Sequence, residues 1–353
     1  MKIALIGFST KEYMPYFRFY KNILDELNVD YDFFTWNRYG DNIKIEENEF
    51  RFEYFCKENK LKKVVAFVKW KQWIKQILDR KKYDKIIILT SIPAFLLHKY
   101  LIKNYKNNYV FDYRDSTYEK IPYYRKVINC LIKNSKFSCI SSKGFLDLLD
   151  HSDKIYPIHN MSYEINQNQT IPINFSEINI GYFGIFNYYD INKKLIDTFK
   201  NENNIKFYYV GSCVGENVLK KYVEGNNINN VKFKPPYSDD NKRDLYKKYK
   251  INFINAAYGN NSFNATKLTP NKLYDSLFYK IPIIVSKNTH LEKIVDKYDI
   301  GIAVDLNDIR EKINIYIKSF NYEKFSKNID LCLNEMLNEQ VTVVNKIKEY
   351  ITL

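Results

Sequence analysis

The feature that most constrains this chain is an alternation of short apolar runs with helical stretches, played through twice. In the first half "KIALIGF" (2–8), "DYDFFTW" (30–36), "KIIILT" (85–90), "NYVFDYRD" (108–115), "FSCIS" (137–141) and "KIYPIHN" (154–160) read as strands. Helical stretches near 12–27, 57–81 and 121–134, with "AFLLHKYLIKN" and "GFLDLLD", separate them. Apolar strands joined by helices make a parallel sheet, because parallel neighbours need a long crossover. The segment 161–177, "MSYEINQNQTIPINFSE", has neither period and reads as a linker. The alternation then restarts with "INIGYFG" (178–184), "IKFYYVG" (205–211), "NVKFKPP" (230–236), "KINFINA" (250–256), "IPIIVS" (281–286) and "IGIAVD" (300–305). The expected fold class is α/β, two Rossmann-like doubly wound domains over 1–165 and 175–335. Residues 336–353 form a C-terminal helix expected to pack back on the first domain.

Size agrees, since 353 residues exceed one ordinary core. The net charge of +14 is concentrated: residues 51–143 hold 22 Lys and Arg against 7 Asp and Glu. Such a field implies an anionic partner, nucleic acid, acidic lipid or phosphate, unless it is only a solvated lysine-rich surface. No zinc, RRM or helix-turn-helix pattern supports nucleic acid. The five cysteines include no CxxC pair, and the N-terminus reads as a buried strand, so reduced thiols in a cytoplasm are expected. No apolar run is of membrane-spanning length. The absence of GxGxxG after the first strand and of GxxxxGK[ST] disfavours a dinucleotide enzyme and a P-loop NTPase.

Ligands of doubly wound sheets bind outside the carboxyl ends of the strands. Gly7, Gly184 and Gly211 close strands there, where a missing side chain lets backbone approach a ligand. In "TPNKLYDSLFYKIPIIVS" (269–286) a helix starts after Pro270, which suits its first turn. Its N-terminus offers unpaired N–H groups and a positive dipole end, a seat for diphosphate beside Asn271 and Lys272. Asp275 is placed to accept from two ribose hydroxyls. An ordinary helix with an early acidic residue fits the same letters. "LKKVVAFVKWKQWIKQILDRKK" (61–82) sets Val64, Val68, Ile74, Ile77 and Leu78 on one helical face among lysines, with Trp70 and Trp73 between. It suits a helix lying on an anionic bilayer, or a core helix with a solvated basic face.

The segment "PNKLYDSLFYKIPIIVS", between "INFINAAY" and "GIAVD", resembles the donor-binding segment of GT-B glycosyltransferases, especially those of family 4. The pattern there is P-x-K-L-x-E, matched by Pro270, Lys272, Leu273 and Asp275. The family often has an acidic residue eight positions earlier, where this chain has Lys267. Glu292 matches a further donor-side glutamate, without the glycines that usually precede it. "YVFDYRD" resembles the family's strand ending in RD, which implies Asp115 as the catalytic residue at the acceptor hydroxyl. Arg114 would pair with Asp115 or a phosphate, and Gly7 would sit on the acceptor side. "GIFNYYDINKK" resembles the family's glycine and basic residues at the diphosphate, with Lys193 or Lys194 in place of the usual Arg.

The resemblance implies transfer of a sugar from a UDP- or GDP-linked donor to a glycan or polyprenyl-diphosphate-linked acceptor in capsule, O-antigen or exopolysaccharide assembly. It implies retention of configuration and no metal or other cofactor. Asp30-Tyr31-Asp32 is the one DxD and starts a strand. The expected location is cytoplasmic, peripheral on an anionic membrane through basic residues in 57–136, with no nucleic acid. The alternatives are a basic nucleic-acid-binding protein and a GT-B-like protein that binds sugar nucleotide without turnover. A sugar-nucleotide epimerase shares the architecture but would need a denser set of acids and histidines.

Overall fold

The computed structural model describes residues 1–55, 60–161, 170–213, 216–305 and 307–353. Cys56, part of the basic stretch and most of the expected linker lie outside them. The chain divides into two compact units, Met1–Asn160 with Asn338–Leu353, and Met161–Leu337.

Unit 1 is built on strands β1 (Lys2–Ile6), β2 (Asp30–Asn37), β3 (Glu49–Glu53), β4 (Lys85–Leu89), β5 (Tyr109–Tyr113), β6 (Phe137–Ile140) and β7 (Ile155–Pro157). They form one parallel sheet in the order β3-β2-β1-β4-β5-β6-β7. Its helices are α1 (Phe17–Glu26), α2 (Lys60–Lys81), α3 (Ser91–Asn104) and α4 (Pro122–Asn134). The sheet has seven strands where the sequence reading has six. Strand β3 escapes that reading because "EFRFE" alternates charge with Phe. Two of its three charged side chains are buried all the same: Arg51 pairs with Glu49 at 2.7 Å, and Glu49 also accepts from Thr35 of the neighbouring strand, while Glu53 is exposed. A buried pair with its lone pairs occupied is tolerated at a sheet edge.

Unit 2 carries β8 (Ile178–Ile185), β9 (Ile205–Ser212), β10 (Val231–Lys234), β11 (Phe253–Ala256), β12 (Ile283–Ser286) and β13 (Gly301–Val304). All pairs are parallel, in the order β10-β9-β8-β11-β12-β13. Its helices are α5 (Tyr189–Phe199), α6 (Val218–Gly225), α7 (Lys242–Lys248), α8 (Phe263–Lys267), α9 (Asn271–Tyr279), α10 (His290–Tyr298) and α11 (Ile309–Ser319).

The last helix, α12 (Tyr322–Thr352), starts in unit 2 and ends in unit 1. Val343, Val344, Ile347, Tyr350 and Ile351 are buried in the same apolar cluster as Ile3 and Leu5 of β1, Phe33 of β2 and Ile87 of β4. Lys85 fastens the helix end by donating to the carbonyls of Tyr350 (2.5 Å) and Ile351 (3.3 Å). A cation at those unpaired carbonyls also opposes the negative end of the helix dipole.

Helix α2 corrects the sequence reading. Ala66, Trp70, Ile74, Ile77 and Leu78 face the core, whereas Val64 and Val68 are 60% and 51% exposed. The apolar residues of this helix therefore divide between two faces. Among the described residues, no helix is long and apolar enough to cross a membrane.

Candidate functional site

In unit 2 the carboxyl ends of β8 and β9 run side by side, with Gly184 opposite Gly211. Their φ values, +128° and +142°, belong to backbone that L side chains rarely adopt. A Cβ on Gly211 would stand 2.0 Å from the Gly184 carbonyl oxygen. A Cβ on Gly184 would stand 3.7 Å from Lys272 Nζ. The two glycines thus expose backbone beside an ammonium group.

That ammonium comes from α9. Pro270 is the N-cap rather than the first helical residue, and Lys272 follows in the first turn. Lys272 is 7% exposed. Its Nζ lies 3.8 Å from the centroid of the Tyr182 ring and 5.1 Å from that of Tyr258, and donates to Tyr258 Oη at 3.1 Å. Tyr188 stacks on Tyr258 with centroids 4.4 Å apart, and Tyr182 donates its hydroxyl to the Ile185 carbonyl. Cation–π attraction suits a poorly hydrated cation, but it does not replace water or a counter-charge. Burial accordingly drives Lys272 down to about 7, with the Asp275 charge opposing and the Lys242 charge adding to the drop. No ion pair among the described residues involves Lys272. An anion delivered over Gly184 and Gly211 would supply the missing charge.

Asp275 lies one turn further into α9 and is 6% exposed. One oxygen pairs with Lys242 at 3.0 Å, the other accepts from Tyr246 Oη at 3.1 Å. A carboxylate has about four lone-pair sites, so two occupied ones leave room for further donors. Leu273 is fully buried in the core, and its N–H already goes to the Pro270 carbonyl. Asn271 is exposed at the helix start.

The structure brings Gly184, Gly211 and Lys272 together, with Asp275 near enough to act on Lys272. It commits Lys193 elsewhere: its ammonium pairs with Asp197 at 2.6 Å and lies over the Tyr222 ring. Lys194 is exposed on the same helix. Glu292 accepts from Asn288 N at 2.6 Å, while its own N–H donates to Thr289 Oγ1 at 3.0 Å, a reciprocal cap on α10. Lys267 ends α8. The residues that sequence reasoning missed are Tyr182, Tyr258, Tyr188, Tyr246 and Lys242. Tyr182, Tyr188 and Tyr258 stood in the quoted "INIGYFG", "GIFNYYDINKK" and "INFINAAY", but were given no role; Tyr246 and Lys242 stood in none.

In unit 1, Arg114 and Asp115 follow β5. Arg114 is 3% exposed and its guanidinium grips Asp112 at 2.7 and 2.8 Å. It also donates to Asn160 at 2.7 Å and lies over the Tyr16 ring. The expected pairing of Arg114 with Asp115 is corrected: two guanidinium nitrogens converge instead on Oδ2 of the inward-pointing Asp112. Asp115 remains open to solvent at the strand end. Its carboxyl is raised by surrounding protein; Arg114 pulls it down, and Asp112 and Glu119 push it up. Gly7 closes β1, where a Cβ would meet the Met14 side chain at 2.5 Å and the Phe34 carbonyl at 3.2 Å. Asp32 of the DxD is held by Lys2 and Tyr83. Among the described residues, no group of three His, Cys, Asp or Glu is arranged to hold a metal ion.

No family model and no curated protein sequence matches the chain. Solved structures do. A sucrose-phosphate synthase from Thermosynechococcus elongatus superposes with a TM-score of 0.74 at 13% identity, over 99% of this chain and 98% of that one. The chain has the GT-B fold. Anabaena HepE in complex with UDP and glucose gives a TM-score of 0.68 at 13% identity, over 99% of this chain and 100% of its own. The lipopolysaccharide outer core galactosyltransferase WaaB, in its apo form, gives 0.63 at 14%, with the same coverages. Both units of the GT-B fold are therefore spanned by each comparison.

Proposed function

We propose that this protein is a glycosyltransferase that moves a hexosyl group from a UDP- or GDP-linked donor to a glycan or polyprenyl-diphosphate-linked acceptor. The observation that carries this reading is the buried Lys272 ammonium, in no ion pair among the described residues, beside the bare backbone of Gly184 and Gly211 and at the start of α9. That is a seat for a diphosphate. The solved HepE and E. coli trehalose-6-phosphate structures of the same fold are described as holding UDP with glucose and UDP-2-fluoro glucose.

In this reading the anomeric C–O bond to the diphosphate breaks and a bond to the acceptor oxygen forms. Charge developing on the departing diphosphate is met by Lys272 and the helix N-terminus, so no metal or other cofactor is required. Asp275 accepts from the donor's ribose. Asp115, with its carboxyl raised, stands on the acceptor side, accepts a hydrogen bond from the attacking hydroxyl and takes its proton as the new bond forms. The outcome is retention, and the setting is family 4-like assembly of capsule, O-antigen or exopolysaccharide on the cytoplasmic face of an anionic membrane.

A thermal-shift panel of UDP, GDP, CMP and dTDP on wild type and on Lys272→Met tests it. One diphosphate should stabilise the wild type and not the variant. If none shifts the wild type, or the variant responds equally, the reading fails.

A further inference from the structure

Helices α2, α3 and α4 are each followed by a parallel strand, so their N-termini gather at the carboxyl edge of the unit 1 sheet. They pack side by side, α2 on α3 and α3 on α4. Apolar side chains crowd those N-termini without cover. On α2, Val64, Val65 and Val68 are 60%, 46% and 51% exposed. Before and in the first turn of α4, Tyr118, Ile121 and Tyr123 are 47%, 53% and 60% exposed. Phe95 of α3 adjoins the α4 group, its ring 6.2 Å from that of Tyr123.

The exposed charge around these residues is mostly positive, with Asp115 the acidic exception in the loop before α4. No acidic residue occurs in the sequence from Lys60 to Leu78, and Lys62, Lys63 and Lys69 are exposed beside the valines. Lys120, Arg125 and Lys126 are exposed around Ile121 and Tyr123. A solvated basic face needs no valines. Valine and isoleucine also offer a nucleic acid neither stacking nor hydrogen bonds. Aliphatic side chains ringed by cations, with tyrosines at the margin, match a layer of acyl chains beneath anionic headgroups.

We propose that this edge of unit 1 seats on an anionic lipid bilayer, with Val64, Val65, Val68 and Ile121 entering the apolar layer, Tyr118 and Tyr123 at its margin and the lysines meeting lipid phosphates. The proposal deepens the membrane partner of the function proposed above and rests on it. It sets the docking surface beside Asp115, which opens the same loop as Tyr118 and Ile121. An acceptor hydroxyl would then be met at headgroup depth.

The test is co-sedimentation of the full chain with phosphatidylcholine vesicles, with and without phosphatidylglycerol, for wild type, Val64→Ser/Val65→Ser/Val68→Ser and Lys62→Gln/Lys63→Gln/Lys69→Gln. Wild type should pellet with the anionic vesicles only, and less as salt rises. The serine variant should lose about tenfold or more in partitioning, and the glutamine variant should lose its preference for anionic lipid. These valines are already in water, so the serine variant should keep its melting temperature and nucleotide response. The proposal is overturned if the serine variant pellets as wild type does, if neutral vesicles bind equally, or if wild type is retained on DNA and not on vesicles. Valine-dependent vesicle binding without any nucleotide shift would uphold the docking surface and sink the transferase reading instead.

Discussion

The Lys272 ammonium rests 3.8 Å above the centre of the Tyr182 ring, with a hydrogen bond to Tyr258 and no ion pair among the described residues. A lysine so placed pays for desolvation with its basicity, and its folded value of about 7 lies below the ordinary 10.5.

The sign of its pH effect follows. Between about 7 and 10.5 the unfolded chain binds the proton that the folded chain has given up, so this group makes stability rise with pH across that window. Below the window both states are protonated and the burden is fully present. Lys272→Met should flatten this part of the stability profile, read by urea unfolding at a series of pH values. A diphosphate would reverse the shift, so binding near pH 8.5 should take up about one proton. Calorimetry in buffers of different ionisation enthalpy measures that uptake; none taken up would remove Lys272 from the anion's surroundings.

Asp275→Asn removes the buried carboxylate charge to which Lys242 and Tyr246 donate. Breaking such a pair costs about 3–5 kcal/mol. Replacing both residues, as Lys242→Met/Asp275→Leu, should recover a good part of that loss. A double-mutant cycle in urea checks this, and additive single costs would contradict it.

Gly211→Ala and Gly184→Ala separate packing from binding. The first drives a methyl into the Gly184 carbonyl and should cost well over 2 kcal/mol or abolish folding. The second brings backbone strain but only ordinary contact with Lys272, so a folded protein with a weakened nucleotide shift is expected. Equal melting temperatures for the two variants would contradict the strand-end geometry.

Asp115→Asn and Arg114→Lys should also part company. Arg114→Lys gives up the two-nitrogen grip on Oδ2 of buried Asp112 and should lower the melting temperature by several degrees. Asp115→Asn touches an open strand end and should leave stability within about 0.5 kcal/mol, while turnover falls at least tenfold. Turnover assays on whichever donor binds decide it; an active Asp115→Asn removes that carboxylate from the chemistry.

Both sheets were legible because their strands are apolar on two faces, which in "KIIIL" leaves little else to read. Strand β3 was not, since its buried charges imitate a surface. The face of α2 was misassigned for a related reason. Helical spacing tells which valines share a side, but not that the first turns of this helix leave Val64, Val65 and Val68 uncovered. In the site, Lys272 and Asp275 could be found because a helix start is a local signal. The tyrosines around them could not, for each comes from a different strand end or helix and the chain holds 32 of them. Arg114 was identified correctly as a strand-end residue and paired wrongly, because alternation points Asp112 and Arg114 to the same side of β5 while Asp115 leaves it.

Helix α12 has a consequence for how the molecule comes into being. The first sheet to leave the ribosome finishes its core with Val343, Val344, Ile347, Tyr350 and Ile351, which follow the whole second sheet along the chain. The half begun first can therefore be completed only after the other half has been fully translated. Until α12 emerges, the nascent chain must carry an open apolar face on β1, β2 and β4, the kind of surface that chaperones hold.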